Sequence, residues 1–464
     1  MKLTIRLILI VSLFFLFSCK ERGDLITDDN SSDYYFSHKQ YTLDSLSGNI
    51  TNSDIIIEDF QSAEQCVDCH LQHYQEWSTS FHAHAFTGPI FLGMWNTEKV
   101  SRPVTGINFC VQCHAPAAFV SGYDLDGVEN ADDPSLPNII KEGVSCDVCH
   151  TMVNKSPSVH TQDHVAAVAQ YYLNPGEGMK YGSIQSPDTN SFHQSLYLPL
   201  FNLSNSCNPC HNQSMRGMPV EMTFSEWDEH PGLSMGGPSC QNCHMPKQSD
   251  GHSSHYFGGV DLLFYDGVDQ SSNQYQEVLS LLSQSVDINF EYINPQTGVL
   301  DSVRLESDSL FIPISINNLA GHNLPSGTAF LREAWLELLV LDSMNDTIYQ
   351  KGLILNPSDE LDYDDDLMLY TMVLYDQEDN QGNVIHGLTN ALSYDDRTLR
   401  TLSYDTKTYA IALDDYIGQN ISIKARMLFR AFKPQIISQF HQDAINYIPI
   451  IQMDADSLTL IISE

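Results

Sequence analysis

A chain of 464 residues that is 42% apolar has room for two or three domains and at least one real core. Its 59 acidic residues against 22 basic ones give a net charge of −37, which excludes nucleic-acid binding by phosphate neutralisation and favours basic partners. No internal apolar run reaches the ~18–20 residues of a membrane-spanning helix.

Residues 1–19 read as an export signal. Lys2 and Arg6 precede the apolar run Leu7 to Phe17, and Leu16-Phe17-Ser18-Cys19 resembles a lipobox. Cys19 is then the acylated first residue of a membrane-anchored lipoprotein; the alternative is an ordinary cleaved signal with a chance Cys. Lys20 stands where an Asp would resemble an inner-membrane retention signal. The expected destination is therefore the outer membrane, on its periplasmic side or at the cell surface. Residues 20–60 are polar and rich in Ser and Asp, the composition of a flexible tether.

The other ten of the 11 Cys fall into five copies of Cys-x-x-Cys-His. These are Cys66, Cys69 and His70; Cys110, Cys113 and His114; Cys146, Cys149 and His150; Cys207, Cys210 and His211; Cys240, Cys243 and His244. This spacing is that of covalent haem c attachment. Two thiols add to the two vinyl groups on one porphyrin edge, and the adjacent His reaches the iron from the proximal face. Zinc sites take Cys pairs two at a time, and five pairs would leave one over. A dithiol redox motif needs no His after the second Cys. At a His frequency of about 4%, five such His would coincide by chance roughly once in ten million. The motifs predict five haem c.

From Cys66 to His244 the chain offers about 36 residues per motif, below the ~40 at which a core needs outside help. Residues 61–265 are therefore expected to wrap porphyrins as a mostly helical and irregular domain. Short helices are expected around the motifs, one over Glu64 to Trp77. Loops are expected over Asp124 to Pro137 and Asn174 to Pro187. Thirteen of the 18 His are not in motifs. Nine of these lie in the motif region: His73, His82, His84, His160, His164, His193, His230, His252 and His255. That enrichment points to a second axial His on most irons, with Met94, Met152, Met215 and Met245 as other candidates.

The stretch from Cys66 to Ala85 resembles the opening of the cytochrome c554-like multihaem cytochromes, carried by Tyr74, Trp77, Ser80 and His82. Family-like segments follow from Ser191 to Asn212, around Trp227, Met245 and Pro246, at His252 to Gly259, and from Gly321 to Leu338. The resemblance implies distal ligands at His82, His193, His255 and His322, the last supported by Arg332 and Trp335. One distal position is left over, and His160 and His164, just after the third motif, are the candidates for it.

After His255 the pattern changes. Asn273 to Gln284 reads as a linking helix. Then period-two alternation begins: Val286 to Tyr292, Leu310 to Ile316, Ile421 to Phe429. Turn signals such as Asn294-Pro295 and Gln381-Gly382-Asn383 separate these strands. The fold class is α+β, with residues 273–464 an antiparallel β-sandwich. Asp362 to Asp366 lacks the spacing of a calcium loop and reads as a solvated acidic loop. The expected function is electron relay between redox donor and acceptor proteins. Two alternatives remain open: a reductase of a small nitrogen or sulfur compound at one open haem, and a cytochrome subunit of a surface complex or filament. No catalytic residue is nominated.

Overall fold

The computed structural model describes residues 38–43, 49–101, 106–154, 169–215, 217–290, 302–306 and 308–463. Cys19, His160, His164 and the Asn294-Pro295 turn lie outside the described residues.

On a helical turn, positions i, i+3 and i+4 share one face, so a single turn aims both thiols and the imidazole of Cys-x-x-Cys-His the same way. The chain makes that turn in two forms. The second, third and fifth motifs lie in helices Gly106–His114, Cys146–His150 and Cys240–His244. The first and fourth follow the 3-10 turns Ala63–Gln65 and Ser204–Ser206. There the N–H groups of His70 and His211 donate to the carbonyls of Cys66 and Cys207, at 2.9 and 3.0 Å. The continuous helix expected through the first motif does not form. His70, at φ −115° and ψ 38°, breaks it, and the helix runs Leu71–Ser78.

Between motifs the chain is mostly irregular, with two departures from expectation. Within residues 174–187, Met179–Gly182 pairs in parallel with Gln194–Tyr197 rather than staying a loop. Part of the expected tether is also structured. Tyr41–Leu43 and Ile50–Ser53 form a hairpin, and Ser53 donates to the Val120 carbonyl at 2.7 Å. Lys39 pairs with Asp59 at 2.8 Å, and Ile55 is fully buried. The few apolar residues that anchor this stretch were diluted by its Ser and Asp content.

In the C-terminal region, alternation becomes strand. Ile421, Ile423, Ala425 and Met427 are buried in Asn420–Arg430 while Lys424 and Arg426 face out. The largest sheet orders Thr347–Lys351, Glu333–Leu341, Asn420–Arg430, Ile451–Ser463 and Ser302–Arg304. The last pair is parallel, which an all-antiparallel expectation did not include. A second sheet orders Tyr404–Ala412, Ser309–Asn318 and Val286–Phe290, all antiparallel. Ile288, Ile312 and Ile316 of this sheet share one core with Leu338, Ile423 and Ile462 of the first. The chain is therefore mixed α+β. Helix Asn273–Leu282, capped by the Ser272 hydroxyl, adds Val278 and Leu282 to the same core.

Candidate functional site

The motif histidines are set in place through Nδ1. His114 Nδ1 donates to the Ala85 carbonyl at 2.6 Å, and His150 Nδ1 to the Tyr181 carbonyl at 2.7 Å. His244 does the same to Gly258. A carbonyl only accepts, so each of these rings carries its proton on Nδ1 and leaves Nε2 free to ligate a metal.

Opposite four of the five motif imidazoles stands a second one. The ring centroids are 6.3 Å apart for His70 and His193, and 6.2 Å for His211 and His82. They are 6.4 Å apart for His150 and His255, and 6.2 Å for His244 and His322. Two metal–nitrogen bonds of about 2.0–2.1 Å, with about 1.1 Å from each nitrogen to its ring centre, put trans ligands roughly 6.3 Å apart. The four gaps thus fit one iron each. Three of the four second rings are oriented in the same manner. Nδ1 of His193, His255 and His322 faces the carbonyls of Gln194, Ser253 and Asn323, at 3.2, 2.8 and 3.0 Å. His82 reaches its place because Gly143, at φ +61°, lets the His82 carbonyl come close; a Cβ there would lie 2.7 Å from it. Val144 N–H then donates to that carbonyl at 2.9 Å, and Trp77 Nε1 to the Val144 carbonyl at 2.9 Å.

His84, His252 and His73 have other tasks. His84 Nε2 donates to the Ser78 carbonyl at 3.0 Å. His252 is tied to Glu76 at 2.8 Å and to Asp250, and Glu76 also accepts from the His255 N–H at 2.7 Å. His73 packs edge-on against His70, His252 and His255. Of the nine non-motif histidines of the region, His82, His193 and His255 stand opposite motif imidazoles and His73, His84 and His252 do not.

The second motif differs from the other four. Among the described residues no imidazole stands opposite His114, whose ring is instead stacked on Phe91 at 4.1 Å. Sequence reasoning put the uncertain position beside the third motif. The structure corrects this, because His150 of that motif faces His255. The described chain resumes at Ala169, whose N–H donates to Gln112 inside the second motif at 2.6 Å. A cavity of about 350 Å3 adjoins this motif, bordered by Met94, Glu98, Cys110, Met215, His386 and Phe440. His386 carried no sequence signal, being a lone His among C-terminal strands.

Thiols of different motifs meet. Cys66 lies within hydrogen-bond reach of Cys146, Cys113 of Cys210, and Cys207 of Cys240. All ten described Cys are free of disulfides. Among the described residues no group of three or more His, Cys, Asp or Glu is placed to hold a metal ion, so the thiols do not gather in the fours that zinc takes. Burial favours the neutral form that ligation requires in five of the paired imidazoles: it lowers His150 and His322, and pushes His82 and His255 down to about 3 and His244 to about 4. His211 departs from this. Burial pulls it down, but Glu221, 3.5 Å away, lifts it to about 9.

Residues 65–151 match the family model described as cytochrome c554 and c-prime. The penta-haem cytochrome c552 from Thermochromatium tepidum shares the fold, with a TM-score of 0.63 and 19% identity over 86% of this chain and 99% of that one. No curated protein matches the chain. Both positive comparisons agree with the geometry around the motifs: the chain is a multihaem c-type cytochrome that resembles the cytochrome c554 family.

Proposed function

We propose that this chain is an exported, lipid-anchored cytochrome that carries five haem c and relays electrons between redox proteins through mostly bis-His irons. The observation that carries the reading is the set of four imidazole pairs at 6.2–6.4 Å. Haem c supplies one-electron chemistry; the chain supplies spacing, ligation and surroundings. Cys69, Cys149 and Cys243 complete the thiol pairs begun by Cys66, Cys146 and Cys240. His82, His193, His255 and His322 are the distal ligands, and His160 or His164 serves the second motif, where Ala169 brings the chain back.

Contact between thiols of different motifs supports relay, since it joins the attachment sites into a group of two and a group of three. The first site adjoins the third, and the fourth adjoins the second and the fifth. Axial His pairs and the acidic surface both favour ferric iron, so the potentials are low. Residues 61–265 form the haem domain, and residues 273–464 form a β-sandwich suited to docking partners with basic surfaces. Cys19 anchors the protein to the outer membrane.

The intact mass of the mature protein tests this reading. Five covalent haems and an acylated Cys19 are expected; free thiols or bound zinc overturn it. The cavity at Cys110 favours a second reading, in which the second haem is open and a small nitrogen or sulfur compound reacts there. Carbon monoxide separates the two. A reduced spectrum unchanged by the gas supports relay, and one haem that binds it supports the enzyme.

A further inference from the structure

His211 is set apart by what stands behind it. His114, His150 and His244 donate from Nδ1 to backbone carbonyls. His211 Nδ1 instead faces a carboxylate, Glu221 Oε1, at 3.5 Å. A carbonyl presents a partial charge and a carboxylate a full one. A full negative charge behind an axial imidazole makes it a stronger donor and favours Fe3+ over Fe2+.

The carboxylate is held by groups from two parts of the chain. Thr223 Oγ1 donates to Glu221 Oε1 and lies 2.7 Å from Ser326 Oγ. Gly327, at φ +75°, leaves the space that Glu221 fills, since a Cβ there would come within 2.8 Å of Glu221 Oε2. Arg332, 8% exposed, lies on the same side, with Nη2 3.6 Å from that Cβ position. Arg332 also grips Asp261 through both terminal nitrogens, at 2.8 and 3.1 Å. Ser326, Gly327 and Arg332 belong to the segment that carries His322. One C-terminal segment therefore faces the fifth motif with an imidazole and braces the carboxylate behind the fourth.

We propose that Glu221 is a positioning residue that sets the redox potential of the fourth haem. Held behind His211 by residues 326–332, its charge lowers that haem's midpoint below the value a backbone carbonyl would give. The proposal rests on the five-haem reading. It concerns an Fe3+/Fe2+ couple in which one electron is taken up and no bond forms or breaks. The fourth attachment site touches the second and the fifth, so this potential governs passage between those two.

Glu221→Gln keeps the shape of the side chain and removes its charge. A redox titration of the holoprotein, followed by optical and electron paramagnetic resonance spectra, should show one midpoint raised and one low-spin signal shifted. The other midpoints should stay in place. Glu221→Asp should restore part of the shift. The haem count by mass, taken on the same sample, must equal that of the unaltered protein. A count other than five in the unaltered protein is a failure of the five-haem reading, not of this one. Unmoved midpoints, or an equal shift of all of them, overturn the proposal and leave Glu221 as a clamp between segments. If Glu221→Gln loses a haem, Arg332→Gln decides. Removing the cation that offsets Glu221 should lower the same midpoint, and a rise or no change overturns the proposal.

Discussion

The two halves of the molecule are built on different plans. In residues 61–265 the longest described helix is Pro89–Ser101, 13 residues, and the strands are three or four residues long. In the C-terminal region, strands run to 9, 11 and 13 residues and share one continuous core. Under the first motif the local cluster is Ala63, Trp77 and Ala83, with Tyr74, Cys146 and Phe257 packed against it. Strands of that length close a core with their own side chains. The motif region instead arranges its buried residues around paired imidazoles and thiols, and the group those residues hold completes the interior. Removing that group should therefore damage one half and spare the other.

The largest effect is expected from Cys207→Ala with Cys210→Ala. The mature protein should lose one covalent haem by mass. Because Cys207 and Cys210 touch thiols of the fifth and second motifs, the spectra of the neighbouring haems should change as well. Cys66→Ala with Cys69→Ala, whose Cys66 touches only Cys146 of another motif in the described contacts, should disturb fewer. Equal disturbance by both pairs would contradict the connected order of sites. On the other side, Ile423→Ala deletes fully buried apolar volume from the C-terminal core. A cost of about 2–5 kcal/mol is expected in chemical denaturation. The haem spectrum should not change, and a shifted spectrum would show that the halves are not independent.

Much of this division was legible in the sequence, and what was not has physical causes. Cys-x-x-Cys-His is local: three residues on one turn carry the whole chemistry, so all five motifs could be read directly. Strands such as Asn420–Arg430 were equally plain, because burial on one face forces period two. Distal histidines are different. His322 and His244 meet only through the fold, and a resemblance rather than periodicity nominated His322. No local pattern could reveal that, among the described residues, no imidazole faces His114 as His255 faces His150. Glu221 was invisible for the same reason: its meaning comes from His211, ten residues earlier, and Gly327, more than a hundred later. The hairpin at Tyr41–Leu43 was missed because composition averages over a window, and a few apolar anchors such as Ile55 do not change the average.

His322 joins the two plans, so His322→Ala sharpens the contrast with less disruption than losing a haem. One low-spin iron should become high-spin and bind carbon monoxide. Asn323 and Ser326 would still hold Glu226 from the same segment, at 3.1 Å in the case of Asn323, so the sheets should keep their far-ultraviolet dichroism. Unchanged iron spectra would remove His322 from the ligand set.

The smallest effect is a pH dependence confined to the C-terminal region. Lys433 is 3% exposed and donates to the Met372 carbonyl at 3.0 Å. Burial is the main cause that pulls it down to about 8; Glu333 opposes this and Arg430 adds to it. In the unfolded chain a lysine titrates near 10.4. Below pH 8 both states hold the proton, and the folded state bears the full cost of a buried ammonium. Between about pH 8 and 10.4 the unfolded state binds more protons than the folded one, so stability rises with pH through that window. Above it the gain is complete. Glu333 and Arg430 beside it are fully buried and paired with each other. Lys433→Met keeps the stem and removes the titration. Thermal melts of the holoprotein at pH 7, 8.5 and 10, followed in the far ultraviolet, give the comparison. The difference between variant and unaltered protein should shrink as pH rises, since the ammonium cost is present only at the lower values. A constant difference across the three pH values would mean that Lys433 releases its proton no earlier than an exposed lysine does.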